Sequence, residues 1–314
     1  MAREETRRKL LAGAGAAAVT LGLEGRLPVA RATTAAPSAR PDVVYRGRSI
    51  AASPDGRRLL ALYEGRREAL LVDRRANSKR KLTLGGQPLE AAFAPDGHYV
   101  ALTTAFWDQP GLELIDAATG NRRARVKAGG APFAVAFTAG GRHLLVTGGE
   151  QDGTLRIYDA PHLHGVREVK LGRVPRGIVV DGKTAWVALN GEDAIARVDL
   201  AKGRVTRRLP TPPHPDRIAL SPDGTALLIT HPSRSVTELD TRRGTVTSHG
   251  AGAHPSAVAW TPAGRLVVRD SDVLALDPRR RRIATVAAPR GLAVAGRAAF
   301  VVSALTGEIG KVRA

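Results

Sequence analysis

Short apolar runs alternate with tight polar turns along most of this chain. An apolar run, a turn such as Pro-Asp-Gly and a second apolar run recur about every 40 residues, as in 51–61 and 92–101. Pro sets φ, Asp caps the turn and Gly takes positive φ, so each copy predicts a β-hairpin. The copies begin at Ala51, Ala92, Ala136, Val179, Ala219, Ala259 and Leu292.

A second pattern follows each of the first six hairpins: an apolar strand that ends in Asp, then a polar turn and a short outer strand. These strand-ending residues are Asp73, Asp116, Asp159, Asp199, Asp240 and Asp277. A carboxylate in this position bonds the amides of the turn that follows, so we expect a structural role for it and not catalysis. Four strands per repeat of about 40 residues are typical of a propeller blade.

The two ends of the repeat region predict how the ring closes. The last repeat holds only three strands, within 291–313, while Asp42–Arg46 is a spare strand at the other end. We expect this N-terminal strand to complete the last blade and close the ring, which leaves no open edge. Helical spacing is absent. The sequence therefore predicts an all-β, seven-bladed propeller of four-stranded antiparallel blades over 42–314.

The N-terminus has the features of an export signal. Residues 6–11 read Thr-Arg-Arg-Lys-Leu-Leu. Residues 10–23 form an apolar stretch that is shorter and less hydrophobic than a typical transmembrane helix. Ala30-Arg31-Ala32 offers a cleavage site. We expect 1–32 to be a twin-arginine signal peptide and 33–41 a flexible linker. The mature chain is then secreted or cell-wall associated, monomeric and without an integral membrane segment.

Composition adds two constraints. The chain has no Cys, which excludes disulfides and thiolate metal sites and agrees with export of an already folded protein. The formal net charge of +19 predicts a potential that attracts polyanions, and it fits either a solvated basic surface or a surface that binds an anionic partner. The basic runs are Arg74-Arg75, 79–81, Arg122-Arg123, Arg207-Arg208, Arg242-Arg243 and 279–282. We place them at the outer rim, where they could contact an anionic polymer (cell wall or nucleic acid); any binding of nucleic acid there would be phosphate-driven, non-specific and salt-sensitive.

The Ser/Thr-Pro-Asp-Gly turns and apolar-Asp strand ends resemble the YVTN-type and WD-like propellers of the YncE-like, lactonase-like group. The resemblance covers nearly all of the mature chain, although the Gly-His and Trp-Asp signature of true WD repeats is absent. It implies that these turns lie on one face. The loops that lead into each first strand, and those that join second and third strands, then surround the channel mouth on the other face, which is the usual binding face.

The candidate ligand-binding residues come from the loops on that face. They are Glu90, Trp107, Phe133, Arg176, His214, Asp216, Arg217, His231, His254 and Arg290. Their mixed charge suits a zwitterionic or carboxylate ligand, and it equally suits a solvated surface. The leading hypothesis is a secreted binding or scaffold protein of the YncE-like type with no catalytic residues and no cofactor, because the sequence holds no nucleophile–base motif.

An enzyme is the alternative. His-Pro pairs occur at His214 and His254 in adjacent repeats, and His231 and Asp216 belong to the same sector. Three imidazoles and a carboxylate are a ligand set for a divalent metal. The alternative hypothesis is therefore a lactonase- or lyase-like propeller with a metal at the channel mouth.

Overall fold

The computed structural model describes residues 46–105, 110–252, 254–277, 280–283 and 285–312. The predicted signal peptide, the linker, residues 42–45 and Trp107 lie outside these ranges. Within them, no helix is long and apolar enough to cross a membrane.

The described strands form seven separate antiparallel sheets, each built from consecutive strands. Blade 1 comprises β1 (Arg46–Ala52), β2 (Arg58–Glu64), β3 (Glu68–Asp73) and β4 (Ser78–Thr83). Blade 2 comprises β5 (Gln87–Phe93), β6 (Tyr99–Ala105), β7 (Gly111–Asp116) and β8 (Arg122–Lys127). Blade 3 comprises β9 (Pro132–Phe137), β10 (His143–Gly148), β11 (Gly153–Asp159) and β12 (Gly165–Gly172). Blade 4 comprises β13 (Pro175–Asp181), β14 (Thr184–Leu189), β15 (Ala194–Asp199) and β16 (Arg204–Pro210).

The remaining blades follow the same order. Blade 5 comprises β17 (Ile218–Leu220), β18 (Ala226–His231), β19 (Ser235–Asp240) and β20 (Val246–Gly250). Blade 6 comprises β21 (Pro255–Thr261), β22 (Gly264–Arg269), β23 (Val273–Ala275) and β24 (Arg281–Ile283). Blade 7 comprises β25 (Pro289–Ala295), β26 (Ala298–Ser303) and β27 (Ile309–Val312). The predicted seven-bladed all-β propeller is confirmed.

Ring closure is visible where blade 7 meets blade 1. The first strand of blade 1, β1, packs along β25 and β26. Of the predicted closing strand, residues 42–45 lie outside the described ranges, and Arg46 belongs to β1, where it pairs with Glu64. In the described part of the chain, blades 1 and 7 are therefore joined by packing and share no sheet.

The core lies between the blades. Along β2, Leu60 and Leu62 pack against blade 2, while the alternate residues Leu59 and Ala61 pack against blade 7. Successive side chains of a strand point to opposite faces, and here both faces are covered. This explains why the second strands read as unbroken apolar runs. Each buried Leu contributes about 2 kcal/mol of transfer free energy.

Four of the six strand-ending Asp residues cap the turn that follows, as the sequence predicts. Asp159 accepts instead from the amide of His164, and Asp277 accepts from the amide and the guanidinium of Arg265. Asp116 Oδ1 accepts hydrogen bonds from the amides of Ala118 and Thr119 at 3.0 and 2.8 Å. The amide of Thr119 is the main reason that the pKa of Asp116 is lowered. The same amide pattern recurs at Asp73, Asp199 and Asp240. Turn amides are the main cause that lowers the pKa of Asp199 and Asp240, whereas at Asp73 the Arg57 side chain lowers the pKa most and the amides add to it.

Acid should therefore unfold this propeller through its turns. A carboxyl whose pKa is lowered on folding adds stability above its unfolded pKa of about 3.9 and loses it as the pH falls through the folded value. The Ser221 hydroxyl and the Thr225 amide lower the pKa of Asp223 to about 2. We expect the free energy of unfolding in urea to fall steeply between about pH 4 and 2, and less steeply in Asp223→Asn. Equal stability at both ends of that range would contradict this.

Many of the basic side chains link neighbouring blades. Arg167 Nη1 in blade 3 donates to the carbonyls of Leu200 and Ala201 in the next blade, at 3.2 and 3.1 Å. Arg207 Nη1 in blade 4 donates in the same way to the carbonyl of Arg242, at 2.6 Å. Residues 79–81 and 207–208 lie on outer strands, where Lys and Arg also discourage pairing with another chain. These positions account for residues 79–81 and 207–208 of the basic rim; Arg279 lies outside the described residues, and contact of the rim with an anionic polymer stays a prediction.

Candidate functional site

Seven blades surround a central channel, and each contributes three successive positions to it from the beginning of its first strand; in blade 5 the first two of these, Asp216 and Arg217, directly precede β17. The outermost position, here called the mouth ring, holds Arg48, Leu89, Phe133, Arg176, Asp216, Ser256 and Arg290. The second ring holds Ser49, Glu90, Ala134, Gly177, Arg217, Ala257 and Gly291. The third, or apolar ring, holds Ile50, Ala91, Val135, Ile178, Ile218, Val258 and Leu292.

A kink in the first strand aims the side chains of the mouth ring. In six blades the strand register shifts at this point, as between Pro175 and Ile178 in blade 4 and between Gly47 and Ser49 in blade 1. A bulge bends the strand and redirects the side chains next to it. Pro precedes the mouth ring in six blades because it needs no ladder hydrogen bond there.

An ion pair crosses the channel at the second ring. Arg217 Nη1 of blade 5 contacts Glu90 Oε1 of blade 2, and these two blades are as far apart as a ring of seven allows. Burial alone would lower the pKa of Arg217, but the carboxylates of Glu90 and Asp216 outweigh it and raise the pKa. Below the pair, a cavity of about 170 Å³ reaches the apolar ring.

Arg176 stands out because no acidic side chain among the described residues pairs with it. Its guanidinium carbon lies 4.2 Å from the centre of the Phe133 ring, a cation–π distance. Its Nε is buried and has no hydrogen-bond partner in the described part of the chain. Thr103 and Thr147 donate to the carbonyls of Phe133 and Arg176 at 2.8 and 2.7 Å, which holds both backbones in place.

Arg48 and Glu64 are two mouth residues that sequence reasoning left out of the predicted site. Glu64 lies 3.9 Å from Arg48 and 3.6 Å from Arg290, so it joins two cations of the mouth. Burial and then the nearby Arg217 lower the pKa of Arg48. The prediction of the mouth residues relied on the Pro that precedes them in the other blades. Blade 1 has Gly47 at that position, so the sequence pattern did not point to Arg48.

The histidines of the predicted metal sector do not converge. His231 is 1% exposed, with Nδ1 3.0 Å from the carbonyl of Pro213 and Nε2 2.8 Å from Thr237 Oγ1. A carbonyl only accepts, so Nδ1 carries the proton, and neutral His231 accepts the Thr237 hydroxyl at Nε2. Burial is the main cause that lowers its pKa. Neither ring nitrogen is free for a metal.

The other members of that sector lie apart. His214 is exposed, and its Nδ1 lies 3.3 Å from the carbonyl of Asn190. His254 and Asp216 line the mouth. Within the described ranges, no three or more His, Asp and Glu side chains are placed to hold a metal ion.

Two mouth cavities bring most of the predicted residues together. One, of about 470 Å³, is lined by Arg176, Asp216, Arg217, His231, His254 and Arg290. The other, of about 660 Å³, is lined partly by Phe133 and Arg176. Glu90 lies in the second ring, His214 lines neither mouth cavity, and Trp107 is outside the described residues.

Comparison with known proteins supports the fold and nothing finer. No family model matches the sequence. No curated protein matches it either. Among solved structures the chain is similar to the hydrazine synthase of Kuenenia stuttgartiensis, with a TM-score of 0.76, 18% identity, and coverage of 90% of this chain and 99% of that one. At this identity the likeness indicates a shared propeller architecture and carries no activity over to this chain.

Proposed function

We propose that this propeller is a non-catalytic binding protein that holds a small carboxylate-bearing molecule at its channel mouth. Arg176 is the observation that carries the proposal. Its guanidinium is stacked on Phe133 and has no acidic partner in the described structure. A guanidinium that lines a cavity without an acidic partner can form charge-assisted hydrogen bonds with a ligand carboxylate.

The other cations of the mouth are already engaged. Arg217 is paired with Glu90, and Arg48 and Arg290 share Glu64. A planar guanidinium presents a fork of donors that matches a carboxylate. Both ring nitrogens of His231 form hydrogen bonds within the protein, so His231 is not placed to act as a general base. Binding therefore fits this mouth better than hydrolysis does.

Arg176→Gln should weaken carboxylate binding about tenfold or more, because a hydrogen bond to a charged group contributes about 1.5–3 kcal/mol. Titration calorimetry with 4-methylpentanoate measures the loss. Arg297→Gln is the matched control and should leave the affinity unchanged. Arg297 lies in the exposed turn between β25 and β26, at the end of these strands that is farther from the channel mouth. No binding to the unmodified protein, or equal affinity in both variants, would refute the proposal.

We further propose that the mature propeller is exported. The order of the arginine pair, the apolar stretch and the cleavage site supports this. Arg7→Lys combined with Arg8→Lys should retain the protein in the cytoplasm, as measured by cell fractionation. Arg3→Lys is the matched control, because Arg3 lies outside the motif. Normal export of the double variant would contradict the twin-arginine route.

A further inference from the structure

The larger mouth cavity combines an apolar wall with charges of both signs. It has a volume of about 660 Å³ and lies between blades 1, 2 and 3 and Arg176 of blade 4. Its apolar wall comprises Leu89, Ala105, Pro110, Ala131 and Phe133. Ligand sites of this kind bury the apolar part of a ligand and orient it through a few polar groups.

Two of the four charged residues in this cavity neutralise each other. Arg48 and Glu64 are 3.9 Å apart, whereas Arg176 and Glu150 form no ion pair with any described residue. Glu150 is also held close to the strand that carries Arg176, because its carbonyl accepts a hydrogen bond of 2.7 Å from the amide of Val174. One cation and one anion therefore face the same cavity without being paired to each other.

We infer that the ligand is a free α-amino acid with an apolar side chain, an inference that rests on the proposed function. The ligand carboxylate contacts Arg176, its ammonium contacts Glu150, and its side chain lies on Leu89 and Phe133. A plain carboxylate would bring a second anion beside Glu150. An uncharged apolar molecule would desolvate Arg176 without a partner. Only a zwitterion satisfies both charges.

A set of truncated probes tests each part of this assignment. Leucine carries all three groups, 4-methylpentanoate lacks the ammonium, 3-methylbutylamine lacks the carboxylate and glycine lacks the apolar side chain. Calorimetry should show leucine binding about tenfold or more tightly than each of the other three. Equal affinity for leucine and 4-methylpentanoate would overturn the assignment of the ammonium contact.

Two variants test which residue of the protein contacts the ammonium of the ligand and which contacts its carboxylate. Glu150→Gln should weaken leucine and 3-methylbutylamine about tenfold, but it should not weaken 4-methylpentanoate, because it removes the anion beside that carboxylate. Arg176→Gln should weaken leucine and 4-methylpentanoate about tenfold, but it should not weaken 3-methylbutylamine. Asp152→Asn, which removes a charge two residues from Glu150 and outside this cavity, should change none of them.

The outcomes separate this inference from the proposed function. If 4-methylpentanoate binds through Arg176 and leucine binds no more tightly, the zwitterion is refuted and carboxylate binding stands. If no carboxylate probe binds, both are refuted. Circular dichroism and thermal melts of each variant exclude misfolding as the cause of a lost signal.

Discussion

Glu113→Ala should lower the free energy of unfolding by about 3 kcal/mol, because it removes one partner of a buried ionic cluster. The carboxylate of Glu113, on β7, is fully buried. Its Oε1 accepts a hydrogen bond of 2.6 Å from the amide of Gly85, in the loop between blades 1 and 2. Arg122 and Arg125 lie 3.3 and 3.6 Å from its two oxygens. The side chain thus connects two blades and balances two cations.

Urea titrations at neutral pH measure this loss. Glu113→Gln keeps an acceptor for Gly85 but no charge, so it should fall between the unmodified protein and Glu113→Ala. Glu168→Ala is the surface control: its pair with Arg156 spans 2.7 Å but Glu168 is 49% exposed, and such pairs contribute about 0–1 kcal/mol. Equal losses in Glu113→Ala and Glu168→Ala would show that the buried cluster contributes no more stability than a surface ion pair.

Gly291→Val should destabilise the protein by about 3 kcal/mol by forcing blades 7 and 1 apart. A Cβ at Gly291 would lie 2.7 Å from both Ile50 N and Ser49 Cα. These are backbone atoms of β1, so no side-chain rotation relieves the clash. The two first strands approach this closely only because one of them has no side chain at that point.

The unfolding midpoint of Gly291→Val in urea gives the measurement. Gly140→Val is the matched control, since nothing lies within 4 Å of a Cβ built there, and it should stay within about 0.5 kcal/mol of the unmodified protein. A midpoint for Gly291→Val equal to that of Gly140→Val would mean that the seam between blades 7 and 1 is not tightly packed.

The sequence predicts the blades well because what forms them is local. A Pro-Asp-Gly turn and its flanking apolar runs lie within about a dozen residues, so the hairpin is determined before any other blade is considered. The caps at Asp116 and its equivalents are equally local, which is why their structural role could be predicted. The shared Pro also located most of the mouth ring.

Contacts between blades could not be predicted in the same way. The Glu90–Arg217 pair depends on which blades face each other across the channel. The burial of His231 depends on Thr237 and on the carbonyl of Pro213, so the spacing of histidines suggested a metal sector that the fold does not assemble. Arg48 was missed because blade 1 carries Gly47 where other blades carry Pro.

Because every described sheet is built from consecutive strands, the ladders of each blade join residues that are close in sequence. Bringing such segments together costs little loop-closure entropy, so blades can form one after another from either end of the chain. The contact between β1 and β25 is different, because it joins the two ends of the described chain. We therefore expect the ring to close last in folding. Contacts at the seam between blades 7 and 1, including the close approach at Gly291, should then affect the unfolding rate of the propeller more than its folding rate.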